Sequence, residues 1–199
     1  MPTGRRGFLY ATTAAMGVAG LAAAAWPLID HLNPDAGVRA ASDLIDVDLA
    51  GLAPGERRVV RWRRLPIFVT KRTAAMLQAM QEPQFVGRLK DASSARRQQP
   101  PYAANWHRSI EPSLAVLVGV CTYCGCVPQY VTEAFPPDLP GGYACPCCAS
   151  HFDPAGRAHA GPAQFNLPIP PHEVVPPSRL MIGRNRSGDL FTFESIERI

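Results

Sequence analysis

The chain has 199 residues, of which 47% are hydrophobic, and its formal net charge is +4. This length and apolar content fit one ordinary domain with an appendage, and they exclude a chain that is disordered throughout. We interpret the basic residues at 57–64 and 94–97 as solvated faces and expect no nucleic-acid binding. The 21 prolines and 16 glycines favour a mainly β body with short strands and irregular loops.

The amino terminus predicts a membrane segment. Arg5 and Arg6 precede an apolar stretch in which no charged residue stands before Asp30, and this stretch can cross a hydrocarbon core of about 30 Å. Twin arginines before an apolar run are typical of a bacterial twin-arginine signal, and they place the amino terminus in the cytoplasm. We therefore predict a signal and transmembrane anchor at 1–30, a single-pass inner-membrane protein, and a body in the periplasm. Cleavage after the alanine run, leaving a soluble protein, stays open.

A short connecting segment is expected after the anchor. At residues 31–42, Asn33-Pro34 ends the helix and small residues follow, which predicts a flexible hinge. The head then occupies residues 43–199.

Within the head, the hydrophobic pattern predicts several elements. Alternating apolar and polar residues in LIDVDLAGL, RRVVRWR and IFVTKR indicate half-buried strands. Residues 73–82 have helical spacing, 91–105 are polar and indicate an exposed loop, and the apolar run at 113–120 indicates a buried strand. The last stretch predicts a hairpin that turns near Ser187-Gly188.

All six cysteines lie in two short stretches, CTYCGC at 121–126 and CPCCAS at 145–150. Two such fingers are typical of proteins that hold a metal or cluster between them. In one interpretation two CxxC pairs bind a metal centre and the other two cysteines form a disulfide; in another, three disulfides form in an oxidising compartment without metal. Six cysteines admit 15 pairings, so spacing does not choose. The CxxC pairs are Cys121 with Cys124 and Cys145 with Cys148; the others are Cys126 and Cys147.

The fingers belong to a wider pattern. The chain starts with RRGFL, its apolar segment ends in WPLIDHLNPDA, and the proline-rich stretch GRAHAGPAQFNLPIPP follows the second finger. Together with CTYCGCVP and GGYACPCCASHFD, this pattern resembles the Rieske iron–sulfur proteins over nearly the whole chain, and specifically the iron–sulfur subunit of proteobacterial ubiquinol-cytochrome c reductase. The resemblance implies a mainly β, antiparallel Rieske-type head with a cluster-binding subdomain at about 113–172, plus one N-terminal transmembrane helix.

The resemblance also implies a function. It implies a 2Fe-2S cluster, electron transfer from ubiquinol to a c-type cytochrome in respiration, and membership of a cytochrome bc complex. The implied partners are the cytochrome b and c-type cytochrome subunits, ubiquinol and the membrane.

Four cysteines match the positions of cysteines in the family. By resemblance, Cys121 and Cys145 are cluster ligands, and Cys126 and Cys147 form a disulfide between the fingers. Ser150 corresponds to the serine whose hydroxyl bonds a bridging sulfide.

The two histidine ligand positions of the family hold Tyr123 and Cys148 here. Cys124 is an additional thiol beside the first of them, three residues after Cys121, so the finger has to reshape for this sulfur to point inward. The candidate metal ligands are therefore Cys121, Cys124, Cys145 and Cys148, with Tyr123 and Ser150 as further cofactor-binding candidates.

Exchanging imidazoles for thiolates makes the site more anionic and lowers the reduction potential. Histidine-ligated Rieske centres span roughly −150 to +300 mV, whereas all-cysteine plant-type ferredoxins lie near −400 mV. Quinol oxidation would then run uphill. Three functions follow: a Rieske-type subunit of a bc complex, a divergent relative with an all-cysteine low-potential 2Fe-2S cluster or structural zinc and no quinol oxidation, or a structural subunit with disulfides only.

Overall fold

The computed structural model describes residues 4–31, 44–132, 141–185 and 189–198. The chain divides into two compact units, Met1–Ala41 and Ser42–Ile199. Apart from His31, the hinge expected at 31–42 lies outside the described residues. The two residues of the expected turn, Ser187 and Gly188, also lie outside them.

The first unit contains one long helix, α1, at Arg5–Asp30. None of its residues is buried, and its length and apolar composition suffice to cross a membrane. At about 1.5 Å per residue it exceeds the thickness of a hydrocarbon core. The predicted membrane segment is therefore helical from Arg5 to Asp30.

Among its described residues, the second unit contains three antiparallel sheets. Their orders are β1-β10-β9, β2-β3-β4 and β5-β6-β7-β8. The strands are β1 (Ile45–Asp48), β2 (Arg57–Trp62), β3 (Leu65–Lys71), β4 (Leu114–Val118), β5 (Gln129–Val131), β6 (Gly142–Ala144), β7 (His151–Phe152), β8 (Ala158–Ala160), β9 (His172–Val175) and β10 (Arg179–Ile182). Two short helices, α2 (Ala74–Ala79) and α3 (Pro83–Val86), and two 3-10 turns, Pro101–Ala103 and Phe193–Ser195, complete it. The mainly β, antiparallel prediction is confirmed.

In the middle sheet, β3 and β4 are buried on both faces. Ile67 and Val116 contribute to a core shared with β1 and β10, while Phe68 and Leu117 contribute to a second core shared with the third sheet and the proline-rich loop. All five residues of β4 are buried. This position explains why the residues at 113–120, where a buried strand was predicted, form a continuous apolar run: a strand covered on both faces has no side that faces solvent.

Three expectations for the head were wrong. The strand β3 was expected to be half-buried, but it is buried from Ile67 to Thr70 because both of its faces are covered. Residues 91–105 are irregular, as expected, but Gln98 is fully buried. Its amide donates to the carbonyls of Asn166 and Arg198. The polar residues of this segment predicted exposure. Sequence alone does not reveal that a polar side chain is buried because it forms hydrogen bonds with buried backbone groups. The expected closing hairpin is also absent among the described residues: β10 pairs with β1 and β9, and a 3-10 turn follows at Phe193–Ser195.

Candidate metal centre

The two cysteine fingers have the same backbone turn. In the first, the N–H of Gly125 donates to the carbonyl of Cys121 over 2.9 Å, and the N–H of Cys121 donates to the carbonyl of Cys126 over 2.8 Å. In the second, the N–H of Ala149 donates to the carbonyl of Cys145 over 3.0 Å, and the N–H of Cys145 donates to that of Ser150 over 2.8 Å. The offsets along the chain are identical, so each finger is one tight turn that begins at its first cysteine.

Each turn needs a residue in the left-handed region directly after its CxxC pair. Gly125 has φ +75° and Ala149 has φ +53°. Glycine adopts this conformation without steric cost, whereas alanine does not. Cysteine spacing does not by itself predict the common turn; the small residue that follows each CxxC pair is the signal that could have indicated it.

The sheets carry the fingers to one place. The first finger follows β4, and the second lies between β6 and β7. A disulfide joins Cys126 to Cys147, with their Cα atoms 6.4 Å apart. This is the pairing that the resemblance implies, and it ties one finger directly to the other.

The four remaining thiols converge. Their Sγ atoms all lie within 4.8 Å of one another. The Sγ of Cys121 is 3.6 Å from that of Cys148, and the Sγ of Cys124 is 3.4 Å from those of Cys145 and Cys148. The first finger thus has the shape that directs Cys124 inward. Four clustered thiols form a donor set that suits zinc or iron.

Burial and hydrogen bonding give these thiols different acidities. Burial raises the pKa of Cys121, against hydrogen bonds from the N–H groups of Cys124 and Tyr123. Burial also raises the pKa of Cys145, to about 12. At Cys148, burial opposes ionisation, but hydrogen bonds from the hydroxyl and N–H of Ser150 contribute to lowering the pKa to about 7.

Ser150 connects the second finger to the proline-rich loop. It is fully buried; its Oγ accepts the N–H of Ala163 over 3.0 Å and lies 3.2 Å from the Sγ of Cys148. Because that oxygen already accepts a hydrogen bond, its own proton is available to a thiolate at Cys148.

Thr122 connects the first finger to the same proline-rich loop. Its position in the sequence gives no signal of this role. Its hydroxyl donates to the carbonyl of Phe165 over 2.7 Å. Both fingers are therefore bonded to one segment, residues 163–165.

Tyr123 lies at the outer edge of the centre. Its side chain is 58% exposed, and its backbone N–H is the group that reaches Cys121. Across residues 4–31, 44–132, 141–185 and 189–198, no histidine belongs to the four-sulfur group. The imidazole ligands that the Rieske pattern implies are therefore absent from this group.

An antiparallel head with two disulfide-linked cysteine fingers under a proline-rich loop defines the Rieske class of iron–sulfur proteins, and comparisons with known proteins agree. The family described as the ubiquitinol-cytochrome C reductase Fe-S subunit TAT signal matches residues 2–35. The ubiquinol-cytochrome c reductase iron-sulfur subunit of Blastochloris viridis is 40% identical over 179 residues, covering 90% of this chain and 92% of the relative. That of Allochromatium vinosum is 39% identical over 189 residues, covering 92% and 89%.

A further relative and one solved structure complete the comparison. The same subunit of Cereibacter sphaeroides is 38% identical over 184 residues, covering 90% of this chain and 95% of the relative. A hyperthermophilic respiratory complex III matches with 20% identity and a TM-score of 0.46, covering 86% of this chain and 98% of that chain. The chain belongs to the family of ubiquinol-cytochrome c reductase iron–sulfur subunits.

Proposed function

We propose that this protein is the iron–sulfur subunit of a cytochrome bc complex and takes part in electron transfer from ubiquinol to a c-type cytochrome. The observation that carries the proposal is 40% identity over 90% of the chain to a subunit of that name. The paired cysteines Cys126 and Cys147 and the buried Ser150 support it, because both features tie the fingers into the head. The implied partners are cytochrome b and a c-type cytochrome.

The cofactor that family membership implies is a 2Fe-2S cluster, which supplies one-electron chemistry. The finger thiols are the residues of this chain that would hold the iron, and the Oγ of Ser150 lies 3.2 Å from the Sγ of Cys148. Hydrogen bonds through Thr122 and Ala163 attach both fingers to the proline-rich loop.

The same proposal includes the location of the head. The twin-arginine signal match at residues 2–35 and the unburied apolar helix α1 support a single-pass anchor that remains attached. The disulfide between Cys126 and Cys147 supports a head in the periplasm, because disulfides persist in oxidising compartments and are rare in the cytosol.

Export can be tested with Arg5→Lys/Arg6→Lys. The paired exchange keeps both charges, so loss of export would report recognition of the arginine pair rather than of charge. We expect the variant to remain inside protease-treated spheroplasts, while the wild-type head is digested and Arg63→Lys/Arg64→Lys, a basic pair in the head, behaves as wild type. A wild-type head that is protected in intact spheroplasts contradicts a periplasmic location.

Assembly and turnover are tested in the native host. A tagged full-length chain is purified from detergent-solubilised membranes, and a deletion strain is assayed for ubiquinol-dependent reduction of cytochrome c. We expect cytochrome b to copurify, and we expect the activity to be lost on deletion and restored by the wild-type gene. Purification without any cytochrome, together with unchanged activity in the deletion strain, refutes the proposal.

One observation favours a second function on the same scaffold. The four-sulfur group contains no imidazole among the described residues. Thiolates lower the potential of an iron centre, towards the roughly −400 mV of all-cysteine clusters. Such a subunit would not oxidise ubiquinol. A positive midpoint potential in a redox titration excludes this second function, and a strongly negative midpoint excludes the first.

A further inference from the structure

We propose that the fingers form a closed site for a single metal ion, iron or zinc, bound by four thiolates, instead of a site for a binuclear cluster. The ligands are Cys121, Cys124, Cys145 and Cys148. This concerns the number of ions and does not depend on whether the chain assembles into a bc complex.

The sulfur separations fit one tetrahedral ion. With metal–sulfur bonds of about 2.3 Å, a regular tetrahedron has sulfur–sulfur edges of about 3.8 Å. The measured contacts are 3.4, 3.4 and 3.6 Å, and no separation within the group exceeds 4.8 Å. Binding one ion therefore requires adjustments of only a few tenths of an ångström at these three contacts.

A binuclear cluster requires a longer arrangement. It consists of two tetrahedra that share an edge of bridging sulfides, so its outer sulfur pairs lie about 5.3 Å apart for the same bond length. Every distance from a cysteine sulfur on one iron to a cysteine sulfur on the other would have to reach that value. Here all distances between the four Sγ atoms are within 4.8 Å.

No assignment of the thiols to two irons avoids this conflict. The contacts run from Cys121 to Cys148, from Cys148 to Cys124 and from Cys124 to Cys145. These three contacts join all four sulfurs in one chain. Any division into two pairs therefore separates at least one pair of sulfurs that lie 3.6 Å apart or less.

The fingers are also held against opening. The disulfide between Cys126 and Cys147 links them on one side. On the other, Thr122 bonds to Phe165 and Ser150 bonds to Ala163, so both fingers are attached to the same short segment. These bonds limit how far the backbones of the two fingers can move apart to make room for a second metal.

The number of ions is measured on the full-length chain, exported through its own signal and purified from host membranes in detergent. Metal content is determined by mass spectrometry, together with acid-labile sulfide. We expect one iron or one zinc per chain and no sulfide. Two irons with two sulfides overturn the proposal and leave the electron-transfer function standing.

The other outcomes separate the two proposals. One iron without sulfide supports the single-ion site and is compatible with electron transfer. One zinc supports the single-ion site and removes electron transfer, because zinc has no redox chemistry. No metal, with the four thiols oxidised to disulfides, overturns the single-ion site.

The ligand set is tested by replacing the metal with Co²⁺, whose absorption reports tetrahedral thiolate coordination. We expect Cys124→Ser to lose the four-thiolate charge-transfer band and to bind Co²⁺ at least about tenfold more weakly. The matched control is Val127→Ala, at a residue that is 52% exposed and lies outside the four-sulfur group, which should leave the spectrum unchanged. An unaltered spectrum in Cys124→Ser contradicts the assignment of Cys124 as a ligand.

Discussion

Ala149 closes the second finger in a conformation that suits glycine. Its φ is +53°, and it occupies the position that Gly125 occupies in the first finger. The cost of the left-handed region for a residue with a Cβ is about 1–2 kcal/mol. The second finger is thus held in its turn by surrounding bonds, at a local cost that the first finger does not have.

We expect Ala149→Gly to raise the free energy of unfolding by about 1 kcal/mol, because it removes this steric cost. The measurement is urea unfolding of the full chain in detergent. The control is Ala160→Gly in β8, where glycine only increases the freedom of the unfolded chain and should lower stability. A lower free energy of unfolding in Ala149→Gly would contradict the inference that the backbone at Ala149 is strained.

His172 is a buried neutral imidazole far from the fingers in the sequence. Burial lowers its pKa to about 4, against a hydrogen bond with the carbonyl of Pro170. The hydroxyl of Tyr102 bonds both the N–H and the carbonyl of His172. The ring is thus fixed at the start of β9 and has to stay neutral there.

Acid should therefore destabilise the head through His172. Its folded pKa lies below the unfolded value of 6.5, so its contribution is complete above pH 6.5 and is lost as the pH falls towards 4. Between pH 7.5 and pH 5 the loss is about 2 kcal/mol. We expect His172→Gln to reduce the pH dependence of the free energy of unfolding by that amount. The half-buried ring of His159 contributes equally in both proteins. An unchanged pH profile would contradict the prediction.

The turn from β7 to β8 is built around a buried ion pair. Asp153 accepts the backbone N–H groups of Ala155 and Arg157, and its carboxylate contacts the guanidinium of Arg157 at 2.7 Å. Arg157 also donates to the carbonyl of Met80. This turn supports the proline-rich loop, because the N–H of Leu167 donates to the carbonyl of Gly156.

We expect Asp153→Asn to lower the free energy of unfolding by about 3 kcal/mol or more, because it leaves a buried guanidinium without its counter-charge. The control is Glu173→Gln, whose partner Arg184 is 62% exposed; an exposed pair contributes less than about 1 kcal/mol. Both are measured by urea unfolding at neutral pH. Equal effects of the two substitutions would contradict the buried character of the first pair.

The strands of the head were predictable where the pattern of apolar and polar residues reflects burial of the strand. Alternation identified β2 and the position of β3, although β3 is buried from Ile67 to Thr70 instead of half-buried, and a continuous apolar run identified β4. The expected closing hairpin was wrong because β10 pairs with β9, which directly precedes it, and with β1, which lies far earlier in the chain. Local pattern indicates that a segment is extended, but it does not identify the strands with which that segment pairs.

In the molecule as a whole, the disulfide is the covalent link between the fingers. Cys126 and Cys147 are 21 residues apart, and the bond closes a loop that contains β5 and β6. A loop of this length contributes about 3 kcal/mol by restricting the unfolded chain.

We expect Cys126→Ala/Cys147→Ala to lower the free energy of unfolding by about 3 kcal/mol. The experiment uses metal-free protein, so that altered metal binding does not contribute. Wild-type protein treated with reductant serves as the control and should approach the stability of the variant. Unchanged stability in the double variant would contradict a structural role for the bond.

The sequence by itself determined the membrane segment, the mainly β head and the residue types at the centre. Each depends on information carried locally: an uncharged apolar run, periodicity, and cysteines in two fingers. The spacing of the six cysteines did not determine which of them bind a metal and which form disulfides, because 15 pairings are possible.

Only the tertiary structure decided what the cysteines do. It paired Cys126 with Cys147 and brought the other four sulfurs within 4.8 Å of one another. It also buried Gln98, whose polar sequence context predicted exposure. The physical reason is common to these cases: a sulfur or an amide acquires its role from partners that are distant in the sequence, and the packing of three sheets brings those partners together.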